Sequence, residues 1–317
     1  MQMPRTFETQ REGRVLTVRF DNPPLNFMDR VMVAELDGLL DSLQDDRSIG
    51  SVVLTGKPQG MFITHYDVEE ILRGSEGVGR SMSAGVAGAS LQTVDGVARL
   101  PGARAALGRT LASGLLELKK MHDVLTRMQR MDKVFIASIN GPALGGACEI
   151  SLACDLRYMA AEAEMIGLPE MTLGFCPGGG GTQRLSQLLG ASRALEMILE
   201  GRPLSPTEAH ELGLVHRVVE ERDLATETRA TAERLARRAP LSIEAAKRAI
   251  LDGATKPIDQ GLADERKWFM ATVSQPAARR AMRAYAERLR AAGPPWANGE
   301  ERAMWQDGTA VDLVSEG

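Results

Sequence analysis

INGPALGGACEISLACDLR (Ile139–Arg157) carries a paired glycine and one acidic side chain, Glu149, through a run of small and apolar residues. With the VFIAS before it, the segment reads as a buried strand ending at Asn140-Gly141, followed by a loop with Gly145 and Gly146 and a helix from near Ala147. Amides at a helix start have no intrahelical acceptors and sit at the positive end of the dipole, and glycine lets a ligand come close to them. The loop is therefore suited to holding an oxyanion, with Glu149 just beyond it. A glutamate in a first turn also serves simply to compensate the dipole, so this stretch alone leaves both readings open.

Working outward, the same strand–loop–helix order recurs. RVLTVRF (Arg14–Phe20) alternates as a half-buried strand, DNPPLNFMD breaks it, and RVMVAELDGLLDSLQDD repeats at helical spacing behind the N-cap residue Asp29. IGSVVLTG reads as a further buried strand, and LRYMAAE as another after the Glu149 helix. Such alternation predicts an α/β fold with helices covering sheets. From Ser75 to about Leu115 the chain turns rich in Gly, Ala and Ser, which reads as a partly helical insertion too long for an ordinary connection. After Thr182 it reads as helical, with a capping box at Ser205/Glu208, a run from Leu224 to Arg238, and further helix over Ser242–Leu251 and Leu262–Leu289. The tail from 291, with two prolines and two tryptophans, reads as a docked or frayed arm.

The 317 residues are 44% hydrophobic and 25% charged with net charge −4, an ordinary globular composition without the basic surplus that nucleic-acid binding requires. Cys148, Cys154 and Cys176 lack zinc or CxxC spacing and read as reduced, largely buried thiols. His65, His122, His210 and His216 form no ligand motif, so no metal is expected. The polar start and the lack of any long apolar run predict a cytoplasmic protein with no membrane partner.

A second segment, IGLPEMTLGFCPGGGGTQRL, places Glu170 after a proline and runs into a four-glycine loop, Gly178 to Gly181, before a helix from Thr182. By itself that loop is a tight turn or a phosphate cradle, and it lacks the lysine of a P-loop. Taken together, the two segments resemble the enoyl-CoA hydratase/isomerase (crotonase) family. SVVLTGKPQGMFITHYDVEEI resembles its first oxyanion loop, and EGRPLSPTEAHELGLVHRVV the segment leading to its C-terminal helices. The resemblance implies a crotonase-like spiral of ββα turns over 1–200 with an insertion at 75–115. It implies a helical trimerisation region over 201–290 and leaves 291–317 as a tail.

It also implies an acyl-CoA substrate, a homotrimer or hexamer, and no cofactor beyond the coenzyme A of the substrate. Glu149 and Glu170 would be the acid/base pair for syn addition of water to a 2-enoyl-CoA, with Glu149 as base and Glu170 as acid. The backbone N–H groups of Tyr66 and Gly146 would hold the thioester enolate. Asn26, Thr64, His65, Asp67, Leu144, Gly145, Pro169 and Gly178 are the expected substrate-binding positions. Rivals are a double-bond isomerase of the same family and a non-catalytic acyl-CoA-binding oligomer.

The chain departs from the family pattern in three places. His65 replaces the glycine before the first oxyanion donor, so either its backbone takes a positive φ or its side chain faces solvent or intrudes near the thioester. Tyr66 brings a ring where a small residue is common, and the insertion is expected to help wall the acyl pocket. In the last long helix Arg279, Arg280 and Arg283 read as a solvated basic face, with contact to coenzyme A phosphates as the alternative.

Overall fold

Strand alternation builds the sheet on which everything else rests. The strands are β1 (Phe7–Glu12), β2 (Val15–Phe20), β3 (Ser51–Gly56), β4 (Val134–Ile139), β5 (Ala143–Leu144), β6 (Leu156–Ala160), β7 (Ile166–Gly167) and β8 (Arg217–Val219). This is a computed structural model describing residues 6–78, 81–97, 113–294 and 297–315. Six strands lie in the order β1-β2-β3-β4-β6-β8, and β5 pairs with β7 separately. β1 and β2 form an antiparallel hairpin, and the remaining pairs are parallel. The period of two sends Val15, Val53, Val134 and Ile136 to one face and Leu16, Val18, Val52, Leu54 and Phe135 to the other. All of β4 is buried, as a central parallel strand covered on both sides must be.

The helices are α1 (Arg30–Leu43), α2 (Val68–Val78), α3 (Ala84–Val97), α4 (Ser113–Arg130), α5 (Gly146–Ala153), α6 (Gly181–Leu189) and α7 (Ala191–Glu200). They continue with α8 (Pro206–Glu211), α9 (Glu221–Leu235), α10 (Pro240–Gly253), α11 (Ile258–Val273), α12 (Pro276–Ala292) and α13 (Gly299–Asp307). Asp29 caps α1 by accepting from Met32 N at 2.7 Å, and Ser205 and Glu208 form the expected capping box on α8. α1, α4 and α5 supply the larger core. α9 covers the opposite face, where Ser51 Oγ donates to Ala232 O at 2.9 Å. A Cβ on Gly50 would lie 2.6 Å from Ala236 O, so only glycine lets the end of that helix rest on the sheet.

Lys247 of α10 ties the helical region to this core. Its ammonium donates to Met128 O and Lys133 O, both at 2.8 Å, and to Asp155 Oδ2 at 2.9 Å. The tail is docked. Arg237 and Arg238 donate to the last carbonyls of α13, Trp305 sits edge-on to Tyr285 at 5.4 Å, and Arg280 donates to Ser315 O at 2.8 Å. Arg280 therefore serves the tail, while Arg279 and Arg283 are solvent-facing.

Three readings of the sequence are revised. β1 was not expected, the helical run Leu262–Leu289 breaks into α11 and α12 at Ser274–Pro276, and Cys176 is exposed. The insertion 75–115 falls partly on α2 and α3, and its stretches 79–80 and 98–112 lie outside the described residues.

Candidate active site

The four-glycine loop cradles a carboxylate supplied by the protein itself. Gly179 N and Gly181 N donate to Glu149 Oε1 at 2.7 and 2.8 Å. A Cβ at Gly181 would come within 3.0 Å of that oxygen and 2.8 Å of Leu168 Cδ1, and one at Gly179 would overlap Glu149 Oε2. Glycine is needed here for close approach of backbone to carboxylate. Gly181→Ala is accordingly expected to leave a folded protein with turnover lowered at least about tenfold, since even small misplacement of a catalytic group is costly. Steady-state kinetics beside a circular dichroism spectrum checks this.

Glu149 lies in the first turn of α5 and is 3% exposed. Glu170, in a 3-10 turn at Glu170–Leu173, is 8% exposed. Gly145 adjoins both: a Cβ there would lie 3.1 Å from Glu170 Oε1, and its carbonyl accepts from Glu149 N at 2.9 Å. Their environments differ. Glu170 Oε2 is buried without a hydrogen-bond partner among the described residues. Burial foremost, and the charge of Glu149, push its carboxyl up to about 7. Burial also pushes Glu149 up, but the Gly181 and Gly179 amides and the charges of Arg184 and His122 oppose that. Two backbone amides therefore favour the ionised form of Glu149, and no such donor reaches Glu170 Oε2 among the described residues.

Tyr66 and Gly146, the first residue of α5, lie side by side. Leu144 N donates to Thr64 O at 2.9 Å, and two residues further along each strand a Cβ on Gly146 would stand 3.1 Å from Tyr66 Cβ. Tyr66 bridges Met28 in parallel: Met28 N donates to His65 O and Asp67 N to Met28 O, both at 2.8 Å. In such pairing the amide of the bridged residue itself points away from the partner strand, which turns the Tyr66 N–H from Met28.

The other expected binding positions divide. Gly145, at φ +52, turns the chain into α5, Gly178 precedes the amide that holds Glu149 and faces Leu118, and Leu144 is half-buried. Asn26 is buried, donating from Nδ2 to Phe20 O and Phe62 O and accepting from Asn22 N; it clips the loop together. Thr64 Oγ1 donates to Leu25 O at 2.6 Å, Asp67 caps α2 by accepting from Glu69 N, and Pro169 O closes the 3-10 turn with Thr172. These four hold the site's frame. His65 does not take a positive φ, and it is half-buried. It stacks on Phe27 at 4.3 Å and Nδ1 donates to Tyr66 O at 2.7 Å.

Sequence reasoning did not single out Met121, His122 and Arg184. The Met121 methyl would lie 3.6 Å from a Gly146 Cβ, and His122 Nε2 donates to Gly178 O at 2.6 Å. The helical period of α4 was the available signal, because it presents Leu118, Met121 and Leu125 in one direction.

Known proteins resemble this chain in sequence and fold. The sequence profile of the enoyl-CoA hydratase/isomerase family matches residues 104–297. The chain is 30% identical over 285 residues to a short-chain-enoyl-CoA hydratase of Clostridium acetobutylicum, covering 90% of this chain and 95% of that protein. It is 32% identical to a probable mitochondrial enoyl-CoA hydratase of Dictyostelium discoideum, covering 92% and 91%. The crystal structure of an enoyl-CoA hydratase from Bacillus anthracis superposes with a TM-score of 0.73 at 26% identity, over 90% of this chain and 97% of that one. Sheet order, C-terminal helices and sequence agree: the chain belongs to the enoyl-CoA hydratase/isomerase family, with its crotonase fold.

Proposed function

We propose that the protein hydrates a 2-enoyl-CoA thioester. The observation that carries this is a pair of buried glutamates beside a glycine loop, Glu149 held by two backbone amides and Glu170 with an oxygen that has no hydrogen-bond partner among the described residues. The amides of Tyr66 and Gly146 donate to the thioester oxygen. Each such donor is typically worth about 2.7–4 kcal/mol to the developing enolate. Glu149 takes a proton from water as the water oxygen bonds C3, and Glu170 delivers its proton to C2. The C2–C3 π bond, one water O–H and the Glu170 O–H break, C3–O, C2–H and Glu149 O–H bonds form, and exchange with solvent returns the two carboxyls to their starting states. An isomerase needs only one carboxyl to move a proton, whereas water addition uses both.

The sign of the pH dependence follows from the acid. Glu170 must be protonated, so kcat/KM is expected to fall as pH rises through about 7. Glu170→Gln should remove that limb along with most of the rate. A pH–rate profile on a panel of 2-enoyl-CoAs of varied length tests the proposal. Binding of every member without turnover would leave a non-catalytic acyl-CoA-binding protein.

The family's assembly is proposed as well, a homotrimer or a hexamer of two trimers. Exposed Leu195 and Leu199 on α7, and Phe269 and Met270 on α11, give apolar surface for subunit contact. Light scattering should return three or six times the chain mass, and a monomer would contradict it.

A further inference from the structure

The loop Gly178–Gly181 aims its amides at Glu149 because its carbonyls are anchored elsewhere. In a trans peptide the C=O and the next N–H point in opposite directions. His122 Nε2 of α4 holds Gly178 O at 2.6 Å, which directs the Gly179 amide the other way, onto Glu149. Arg184 N takes Gly180 O at 3.0 Å, which directs the Gly181 amide onto the same oxygen. The Arg184 side chain then fixes the turn between them. Nη1 donates to Gly179 O and Nε to Gln129 Oε1, both at 2.9 Å. Gly180, at φ +99, leaves the space that the guanidinium occupies, since a Cβ there would overlap Nη1.

We propose that Arg184, braced by Gln129 and assisted by His122, is a positioning residue that sets both the orientation and the charge of Glu149. This rests on Glu149 being the base. The charged and titratable groups facing Glu149 are Arg184 from α6, His122 from α4, Glu170 from the 3-10 turn and its neighbour Cys148. Of these Arg184 carries a permanent positive charge, and Glu149 must be ionised to accept a proton from water. Loss of that charge makes ionisation harder, so the acid limb of the rate profile moves to higher pH.

The test is the pH profile of kcat and KM for wild type, Arg184→Gln, Arg184→Lys, Gln129→Leu and Glu149→Gln. Arg184→Gln is expected to lower kcat at least about tenfold with KM little changed, and to move the acid limb up by about one pH unit. Arg184→Lys should return the limb to its place while kcat stays below wild type. Gln129→Leu keeps the charge but loosens the guanidinium. It should lower kcat with the limb unmoved, and it serves should Arg184→Gln fail to fold. A folded Arg184→Gln protein with its acid limb at the wild-type pH overturns the proposal, as does Gln129→Leu with wild-type kcat. If Glu149→Gln itself keeps wild-type turnover, the assignment of the base has failed rather than its positioning.

Discussion

Glu149→Gln is expected to reduce hydration of a 2-enoyl-CoA by about 10²–10⁴-fold while leaving thioester binding nearly unchanged. The amide still accepts from Gly179 and Gly181 through its oxygen, so the loop keeps its shape. What is lost is the ability to take a proton from water. Glu170→Gln should lose activity on a similar scale for the complementary reason, because an amide has no acidic proton for C2. The thioester contacts at Tyr66 and Gly146 are backbone amides and survive both changes. A fall in kcat with KM held is thus the expected signature. Equal loss in binding would mean that the carboxyls hold the substrate rather than transform it.

The largest expected effect on stability lies away from the glutamates. Lys247→Met should destabilise the fold by about 3 kcal/mol, in the range seen when one partner of a buried ion pair is removed. The ammonium satisfies Met128 O, Lys133 O and Asp155 Oδ2, lies 5.3 Å from the Phe135 ring, and joins α10 to the sheet. Methionine fills similar volume but takes the ammonium from Asp155, leaving it, among the described residues, the Phe135 amide as donor. Denaturant unfolding measures the change. Double substitution with Asp155→Asn should recover part of it, because the uncompensated charge is then gone.

How much of this was legible in the sequence depends on whether the partner of a residue lies near or far along the chain. The strands β2, β3, β4 and β6, the cap at Asp29 and the capping box at Ser205 were readable because alternation and capping are local. β1 was not. Of its six residues only Phe7 is buried, so as an edge strand it shows no alternation to read. The break at Pro276 was hidden because apolar spacing continues across it, and proline is well placed at the first position of α12.

At the site, both glutamates and their glycine loops were legible, but the purpose of Gly178–Gly181 was not. The loop's anion is the side chain of Glu149 itself, and no local pattern says that two segments thirty residues apart will meet (|i−j| = 30 for the Gly179 contact). The surroundings of His65 were hidden for the same reason: its place before Tyr66 suggested a positive φ, whereas its ring stacks on Phe27 of a different loop. Arg184 was part of a quoted motif, yet its acceptors, Gly179 O and Gln129, become visible only once α4 and α6 are side by side.

The central claim is that two buried carboxyls, Glu149 as base and Glu170 as acid, add water across a thioester-conjugated double bond. Incubating the wild-type protein with a 2-enoyl-CoA in ¹⁸O-labelled water and weighing the product tests it most directly. The account predicts a 3-hydroxyacyl-CoA that has gained one labelled oxygen and two hydrogens, formed by wild type and not by Glu149→Gln. A product of unchanged mass with a displaced double bond, or label uptake that persists undiminished in Glu149→Gln, would contradict it.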